Sequence, residues 1–473
     1  MSEMILPGIY TQEIDAGPRS ISPLQTGIIG MLGASPKGPT DEIVTCSSYA
    51  DVERVFGKLV AGNDIAEKAN VAFAAGASQI NITRVTKGNP VKSTATLVDG
   101  SAVGCVTLTA KYYGVYGDSI SVAVTASQSG GHVDVAITDT YSNMTEAYPA
   151  MNMLEDSPNY LVNAINAKSE IVDATGLTAE NPAVATTSLS GGDDGDAVDA
   201  IAIIGEADGP TGLKLLETDD SISILLSATG SDPAVWTEMI AQAERAKNRI
   251  AILNLASGLT PAQAVSAIST FDSARFATTF PYVKVFDFVT GGTKEIPGSA
   301  SLAGILSGLP AYRSPSNSVV NGIVGVARVL SQSEKEALYQ GRIIPIAAVL
   351  GQGIRLIGGI SGSSDPKWAQ LCKRRMLDKI QKSVKSAMNW AISLPNTPTL
   401  RDNVATSIND FIKRLINNGE IGNTSSAICN STNNTAASIA AGYLIVDVAI
   451  EFLYPADKIV IRYQEKMGEG ATT

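Results

Sequence analysis

The sequence is poor in the residues that carry most enzyme chemistry. His132 is its single histidine, and none of its four cysteines forms a CxxC pair with another. Every scheme that needs an imidazole would therefore depend on His132 alone, and zinc-ribbon and thioredoxin spacings are absent. These absences argue against histidine-dependent catalysis and the common zinc sites, and we predict no catalytic residue, no metal site and no cofactor.

Motifs that bind nucleotides are missing as well. The chain has no Walker P-loop, and the glycines of residues 27–33 are spaced GxxGxxG instead of GxGxxG. The dinucleotide motif also needs a helix start that receives the pyrophosphate, and none follows Gly33. We therefore interpret residues 27–33 as a buried strand and turn.

Basic residues and long apolar runs are scarce. Lys and Arg number 35 against 46 Asp and Glu, which gives a net charge of −11. Nucleic acid and anionic membrane surfaces both select for basic residues, so we expect no nucleic-acid partner. The longest apolar stretches, residues 319–330 and 343–350, fall well short of the roughly 20 residues of a membrane span, so we expect no membrane insertion. With no signal region at its start, the sequence predicts a soluble protein made in the cytoplasm.

The composition nevertheless predicts a large folded protein. Hydrophobic residues make up 44% of 473 residues, so several cores can form, and roughly three domains are expected at this length. We predict a multidomain α/β fold in which a β-rich insertion splits an α/β domain and an α+β domain follows. The expected parts are an extended N-terminal arm at 1–22, the α/β domain at 23–87 and 191–360, the inserted domain at 88–190 and the C-terminal domain at 361–473.

Hydrophobic periodicity defines the α/β and inserted parts. Apolar runs predict strands at 27–32, 80–85, 222–226, 250–253 and 283–289, with a helix at 236–247. Residues 119–124 and 132–137 alternate with period two around Gly130 and Gly131, which predicts a hairpin and places His132 on a strand. The Gly- and Asp-rich run 190–195 is interpreted as a flexible linker.

The last third carries two predicted helices. Apolar residues recur at helical spacing over 365–393, with Ser364 or Asp365 as N-cap, and over 398–418 before Gly419, which suits a left-handed C-terminal cap. The first of these helices is unusually basic for an acidic chain. Its basic residues form either a solvated helix surface or a docking strip for an acidic protein surface.

Several blocks in a shared order resemble the contractile tail sheath family of myophages, R-type bacteriocins and related injection systems. These blocks are residues 7–15 (PGIYTQEID), 35–39 (SPKGP), 190–195 (SGGDDG), 296–299 (IPGS) with 314–317 (SPSN), and 374–380 (RRMLDKI). The sequence departs from the family at residues 357–362, where the family often has a Trp-Gly-Ala-Arg-Thr stretch. The resemblance spans nearly the whole chain.

This resemblance implies a structural subunit and no enzyme. Such subunits form hexameric rings that stack helically around a tail tube and contract to drive the tube through a target cell envelope. The implied partners are further copies of the chain, the tail tube protein, and the baseplate and tail terminator proteins. The C-terminal domain would lie nearest the tube, the insertion would face outward, and the subunit would reside in a virion or particle tail assembled in the bacterial cytoplasm.

The ends of the chain suggest how such copies join. A neighbour's strand can complete an open sheet edge, and both the N-terminal arm and the alternating residues near the C-terminus suit this role. We predict that residues 446–452 and 459–461 form a hairpin-like pair. The residues assigned to strand exchange are Ile9, Tyr10, Thr11, Ile14, Val446, Val448, Ile450, Phe452, Ile459 and Ile461. The residues assigned to a tube-facing basic helix are Lys373, Arg374, Arg375, Lys379 and Lys382.

Two other functions stay open at this point: an α/β hydrolase-like enzyme and another self-assembling shell protein. Ser364 and Lys367 match the SxxK spacing of serine hydrolases, although helix capping selects the same residues. The aspartates of residues 193–199 imitate a calcium loop but lack its ligand order. A different self-assembling shell protein would share the arms and the lack of catalytic residues.

Overall fold

The computed structural model describes residues 19–464, which fall into two compact units. The larger unit comprises residues 26–375. The described part of the C-terminal unit comprises residues 19–25 and 376–464.

The strands of the described chain are numbered in sequence order. They are β1 Ile29–Gly33, β2 Val44–Cys46, β3 Ile80–Arg84, β4 Thr94–Val98, β5 Gly104–Ala110, β6 Ile120–Ala126, β7 Val133–Asp139, β8 Met144–Met151, β9 Val172–Gly176, β10 Ala185–Ser188, β11 Ile224–Ser227, β12 Ile250–Leu253, β13 Phe276–Phe280, β14 Val283–Phe286, β15 Thr293–Ile296, β16 Gly325–Val326, β17 Ile344–Val349, β18 Gly353–Leu356, β19 Ser426–Ile428 and β20 Asp447–Ala449.

The α-helices of the described chain are numbered in the same way. They are α1 Tyr49–Phe56, α2 Asp64–Ala74, α3 Leu161–Lys168, α4 Ala200–Ile204, α5 Gly212–Glu217, α6 Pro233–Ala246, α7 Pro261–Ile268, α8 Ser299–Gly308, α9 Gln332–Gln340, α10 Leu371–Ala387, α11 Pro398–Asn417 and α12 Ala436–Ala440. Short 3₁₀ helices span Val115–Ser119 and Asn389–Ala391.

An eight-stranded sheet organises the larger unit. Its order is β18-β17-β13-β12-β11-β1-β3-β2, with parallel pairing from β17 to β3 and antiparallel strands at both edges. Strands β1, β3, β11, β12 and β13 are buried along their whole length because helices cover both faces, as in other parallel sheets. One core contains residues of α1, α2 and α8, and the opposite core contains residues of α5, α6, α7 and α9.

Four of the five strands predicted for the α/β part are confirmed in this sheet, as β1, β3, β11 and β12. Strand β13, at residues 276–280, was not predicted because two threonines interrupt its apolar run. One of them, Thr278, can be buried because its hydroxyl donates to the carbonyl of Leu253 at 3.0 Å. Residues 283–286, predicted as part of the α/β pattern, instead form β14 of a separate antiparallel sheet, in the order β15-β14-β16.

Residues 88–190 contain β4 to β10 and have their own core. A three-stranded sheet (β4-β5-β9) and a four-stranded sheet (β10-β6-β7-β8) enclose it. The predicted hairpin is present as β6 and β7, although His132 lies in the turn just before β7 and not on the strand. The chain leaves the large sheet after β3 and returns to it at β11.

The two crossings between these parts run side by side. Lys87 pairs with Asp196, Val91 with Asp193 and Thr94 with Ser190, all in antiparallel bridges. The interpretation of residues 190–195 as a flexible linker is therefore wrong. Their backbone groups are bonded to the outgoing chain, which offsets the entropy that glycines lose on ordering.

A buried ion pair joins the large-sheet part to the 88–190 segment. The ammonium of Lys37, in the turn after β1, lies 3.3 Å from a carboxylate oxygen of Asp139, and both side chains are almost fully buried. Lys37 also donates to the hydroxyl of Ser142 at 2.6 Å. The other Asp139 oxygen accepts the backbone N–H groups of Tyr141 at 2.9 Å and Ser142 at 3.2 Å. Burial lowers the pKa of Lys37, an effect that the facing carboxylate opposes.

A second buried cation lies at the same junction. Arg84, at the end of β3, donates to the carbonyl of Tyr113 at 2.7 Å and to that of Gly38 at 3.3 Å. Burial lowers the pKa of its guanidinium to about 10, so it stays charged at neutral pH. Two charged side chains of the large-sheet part, Lys37 and Arg84, thus bond to the 88–190 segment.

In the C-terminal unit, α11 matches its prediction closely. Thr397 caps its N-terminus by accepting the Leu400 N–H at 3.1 Å, and Gly419 follows its end with φ +70°. The predicted apolar stripe of this helix is buried.

Helix α10 begins at Leu371, six residues later than predicted. Residues 359–361 pair with 369–371 and hold the intervening backbone in a turn, so the start at residue 365 was wrong.

The ion pair at the junction is open to a direct test. We expect Lys37→Met to lower the free energy of unfolding by about 3–5 kcal/mol, because it leaves the Asp139 carboxylate buried without a counter-ion. Arg54→Ala is the matched control: its pair with Glu170, at 2.9 Å, is half-exposed, and its loss should cost less than about 1 kcal/mol. Urea unfolding measures both, and equal small losses would contradict a structural role for Lys37.

Candidate assembly surfaces

The first described residues lie on helices of the C-terminal unit. The N–H of Arg19 donates to the hydroxyl of Ser407 at 2.9 Å, and that of Leu24 donates to Ser383 at 3.0 Å. The guanidinium of Arg414 donates to Ser20 at 3.1 Å and to the carbonyl of Ile21, whose side chain is fully buried. Ile9, Tyr10, Thr11 and Ile14, assigned to strand exchange, lie outside the described residues.

A two-stranded antiparallel sheet, β19 with β20, lies against α11. The side-chain amide of Asn409 donates to the carbonyl of Ala427 at 2.8 Å, and its oxygen accepts the Ala427 N–H at 2.9 Å. The amide thus replaces a neighbouring strand at the centre of β19. This edge of the small sheet is closed within the subunit.

The opposite edge of this sheet belongs to β20. Antiparallel residues direct their backbone groups alternately to the two sides of a strand. Since Ala427 directs its N–H and carbonyl toward Asn409, its paired residue Val448 directs its own away from β19. Ile445 bonds inward to Asn434, and Glu451 bonds inward to Gly422 and Ser425, which fixes the same alternation along the strand.

Val446, Val448 and Ile450 therefore present their backbone groups at the outer edge of β20. Within residues 19–464 no third strand joins this sheet. The end of β20 is held in place by Glu451, whose carboxylate accepts the hydroxyl of Thr424 at 2.7 Å; this bond lowers the pKa of Glu451. An ordered strand with an unfilled edge is a template for a further strand.

The chain after β20 differs from its prediction. Residues 459–461 form no strand in the described subunit, and residues 447–449 pair with β19, so the predicted hairpin-like pair is wrong. Apolar side chains of this segment are exposed instead of packed. Those exposed by about half or more are Leu453, Tyr454, Ile459, Val460, Ile461 and Tyr463. Phe452 is half-buried.

The predicted basic strip on α10 is only partly exposed. Lys373 and Arg375 are buried: Lys373 donates to the carbonyl of Lys367 at 2.6 Å, and Arg375 donates to those of Leu306 at 2.5 Å and Leu309 at 2.9 Å. Their assignment to an exposed strip is wrong, because these cations satisfy backbone carbonyls inside the larger unit. The prediction counted the basic residues of the helix but did not distinguish the buried ones from the exposed ones.

The other three basic residues reach the surface to different degrees. Lys379 is mostly buried and pairs with Glu420 at 2.5 Å. The Arg374 guanidinium lies 5.0 Å from the centre of the Trp368 ring, and both Arg374 and Lys382 are half-exposed. Whether they contact a tube stays a prediction.

The residues considered for chemistry have structural partners. The hydroxyl of Ser364 donates to the carboxylate of Asp272, and the Lys367 ammonium lies 5.5 Å from the centre of the Trp368 ring. Asp199 caps α4 and pairs with Lys87 at 2.8 Å. Over residues 19–464, no group of three or more His, Cys, Asp or Glu side chains is placed to hold a metal ion. No helix in that range is both long and apolar enough to span a bilayer.

Sequence reasoning missed Asn409 and β19. Asn409 lies on the polar side of helix α11, and a polar residue at such a position is usually solvated, so the sequence does not indicate that its amide bonds to a strand. Strand β19 is three residues long, and Ala427 is its only buried side chain. The alternation of residues 446–452 was a usable signal for β20, but it could not identify β19 as its partner.

Comparison with known proteins places these surfaces in context. Residues 204–361 match the phage tail sheath protein central domain, and residues 363–465 match the phage tail sheath C-terminal domain. The tail sheath protein of Burkholderia phage BcepMu is 24% identical, over 97% of this chain and 96% of the relative.

Solved structures share the fold. A crystal structure of a sheath tail protein from Desulfitobacterium hafniense has a TM-score of 0.64 at 19% identity, and covers 90% of this chain and 94% of that one. The anti-feeding prophage helical sheath in its contracted state has a TM-score of 0.62 at 16% identity, and covers 98% of this chain and 100% of that one. The two sheath models together span more than half of the sequence, and the chain belongs to the contractile tail sheath family of structural proteins.

Proposed function

We propose that this chain polymerises as stacked hexameric rings around a tail tube, and that the polymer contracts to drive the tube through a target cell envelope. The observation that carries the proposal is the unfilled edge of β20, combined with an exposed apolar segment that follows it in the same chain. One is an acceptor for a strand and the other is a donor, so copies of the chain can join to one another.

The donor is the segment at residues 458–463 (KIVIRY). Its β-branched and aromatic residues favour an extended strand, yet within the subunit they lie exposed. As a strand, Ile459, Ile461 and Tyr463 share one face, while Val460 and Arg462 share the other. Added to the β20 edge of a neighbour, it would gain main-chain hydrogen bonds and bury one apolar face.

The N-terminal arm is proposed as a second donor. The bonds of Arg19 and Leu24 hold the chain at these residues on the C-terminal unit, and the arm would start from there. About 15 extended residues reach on the order of 50 Å, enough to cross onto another subunit. Ile9, Tyr10, Thr11 and Ile14 would supply the side chains of that strand, and Gly17 with Pro18 would be its hinge. Joints of this kind persist while subunits rotate, so contraction need not separate the copies.

The remaining assignments concern where the parts lie in the particle. Residues 361–473 would lie nearest the tube, and the inserted domain 88–190 would face outward. The half-exposed Arg374 and Lys382, with exposed Lys385, would dock on an acidic tube surface. The ends of the polymer would meet baseplate and tail terminator proteins, in a virion or particle tail assembled in the host cytoplasm. Structures of related sheaths in the contracted state and with a baseplate support such a setting.

Deleting residues 1–16 should leave a folded subunit that does not polymerise, because the anchor at Arg19 to Leu24 remains while the donor strand is lost. Circular dichroism tests folding, and negative-stain electron microscopy, with and without the cognate tube protein, tests assembly. Replacing residues 9–14 by a Gly/Ser sequence of equal length should have the same effect. Normal cylinders from either variant would refute the arm as a joint.

Val448→Pro should block polymerisation while preserving the subunit. Proline removes an N–H that points to the outer edge of β20 and is tolerated on an edge strand, so hydrogen exchange of β19 amides should stay slow. Val448→Thr keeps the N–H and the branched shape, and it should assemble like the wild type. Cylinders formed by the proline variant at wild-type yield would show that this edge takes no strand.

Lys382→Glu combined with Lys385→Glu should slow the coating of tubes about tenfold at low salt, because complementary charge mainly accelerates encounter. The difference from the wild type should shrink at high salt. Lys413→Glu is the control, an exposed lysine on α11. Light scattering during assembly on preformed tubes measures the rate. Equal rates for the wild type, the double variant and the control would show that α10 is a solvated helix surface and does not dock on the tube.

A further inference from the structure

An aromatic tip projects from the β14–β15 hairpin of the larger unit. Phe286 and Phe288 pack edge to face with ring centres 4.9 Å apart, and Val289 follows them. All three side chains are about half or more exposed, with Phe288 at 64%. The chain has nine phenylalanines, and the other seven are buried or half-buried. The two exposed phenylalanines of the chain therefore lie together at this tip.

The turn that carries the tip is held by one side chain. The Asp287 carboxylate accepts the N–H of Val289 at 2.9 Å and the hydroxyl of Thr290 at 2.7 Å, which lowers the pKa of Asp287. The backbone N–H of Asp287 donates to Gly292 at 3.0 Å, and that of Gly291 returns a bond to Asp287 at 2.8 Å. The tip is thus ordered before any partner arrives, which lowers the entropy cost of a contact.

The charges beside the tip are already paired inside the subunit. Lys284 lies 3.7 Å from Glu295, and Lys294 lies 2.7 Å from Glu67. Asp287 is the one charged side chain within the tip, and its carboxylate is bonded back to the turn. The three apolar side chains still form an apolar spot on a chain of net charge −11. Two copies of such a chain repel one another over most of their surfaces, and an apolar spot is where they can approach at the least cost.

The size of the tip decides what kind of contact it can make. Three half-exposed apolar side chains offer on the order of 300 Å² to a partner, against about 800 Å² per partner in a stable complex. The tip alone cannot hold a dimer. It contributes only where other joints already keep the copies close, since the effective concentration is then high.

We infer that the Phe286–Phe288–Val289 tip is a contact with a second copy of this chain, formed only within the polymer. The inference rests on the proposed sheath function, and it adds a side-chain contact that is separate from the strand joints. Phenylalanine is among the residues that are enriched at the cores of protein interfaces.

The test uses the double variant Phe286→Ser with Phe288→Ser in the full-length chain. Because both rings are exposed, the variant subunit should fold with a wild-type melting temperature. The protein concentration at which cylinders appear should rise about tenfold or more. Phe286→Leu with Phe288→Leu keeps an apolar tip and should recover most of the loss. Leu154→Ser, at a similarly exposed leucine in the 88–190 segment, is the matched control.

The outcomes separate this inference from the proposed function. Wild-type cylinders together with a serine variant that assembles at the same concentration would overturn the tip contact and leave the sheath function standing. An equal loss in Leu154→Ser would also overturn it, because the effect would then be general to exposed apolar residues. If the wild-type chain formed no polymer, alone or with tubes, the proposed function itself would be refuted.

Discussion

The two hydrogen bonds between the Asn409 side chain and the Ala427 backbone determine which edge of the small sheet is available. They close the outer side of β19 with a group from the same subunit. With that side closed, the alternation of an antiparallel pair leaves Val446, Val448 and Ile450 of β20 facing outward. The small sheet is therefore closed on one side and open on the other within the described residues. An isolated two-stranded ribbon would be marginal without its support on α11.

In the larger unit, both faces of the central sheet are covered. The parallel sheet has helices on both sides, and the 88–190 segment has a core of its own. What joins these two cores is mainly polar, with Lys37 and Arg84 buried at the junction. Buried charges restrict geometry because they must keep their partners, whereas apolar contacts can slide. The junction therefore has a defined geometry even though only two chain crossings connect its halves.

Much of the fold could be read from the sequence, and the limits have physical reasons. The strands β1, β3 and β12 and the helix α11 were predictable because their patterns are local. The start of α10 was not, since tertiary pairing of residues 359–361 with 369–371 overrides a good capping sequence. Lys373 and Arg375 look like surface cations in a sequence, and only the fold shows the carbonyls that they satisfy. The strand at 459–461 was predicted from real β propensity, but its own subunit provides no neighbour for it.

The positions of the proposed donor and acceptor segments would give the assembly a direction. The β20 edge and the 458–463 segment are different surfaces, so a joint between them is heterologous and does not pair two copies symmetrically. Where such joints link successive rings and do not close on themselves, the array would keep an unfilled edge at one boundary and an unpaired segment at the other. The two boundaries are chemically distinct, one lacking a strand and the other offering one. A protein that starts the array and a protein that ends it must therefore recognise opposite halves of the same joint.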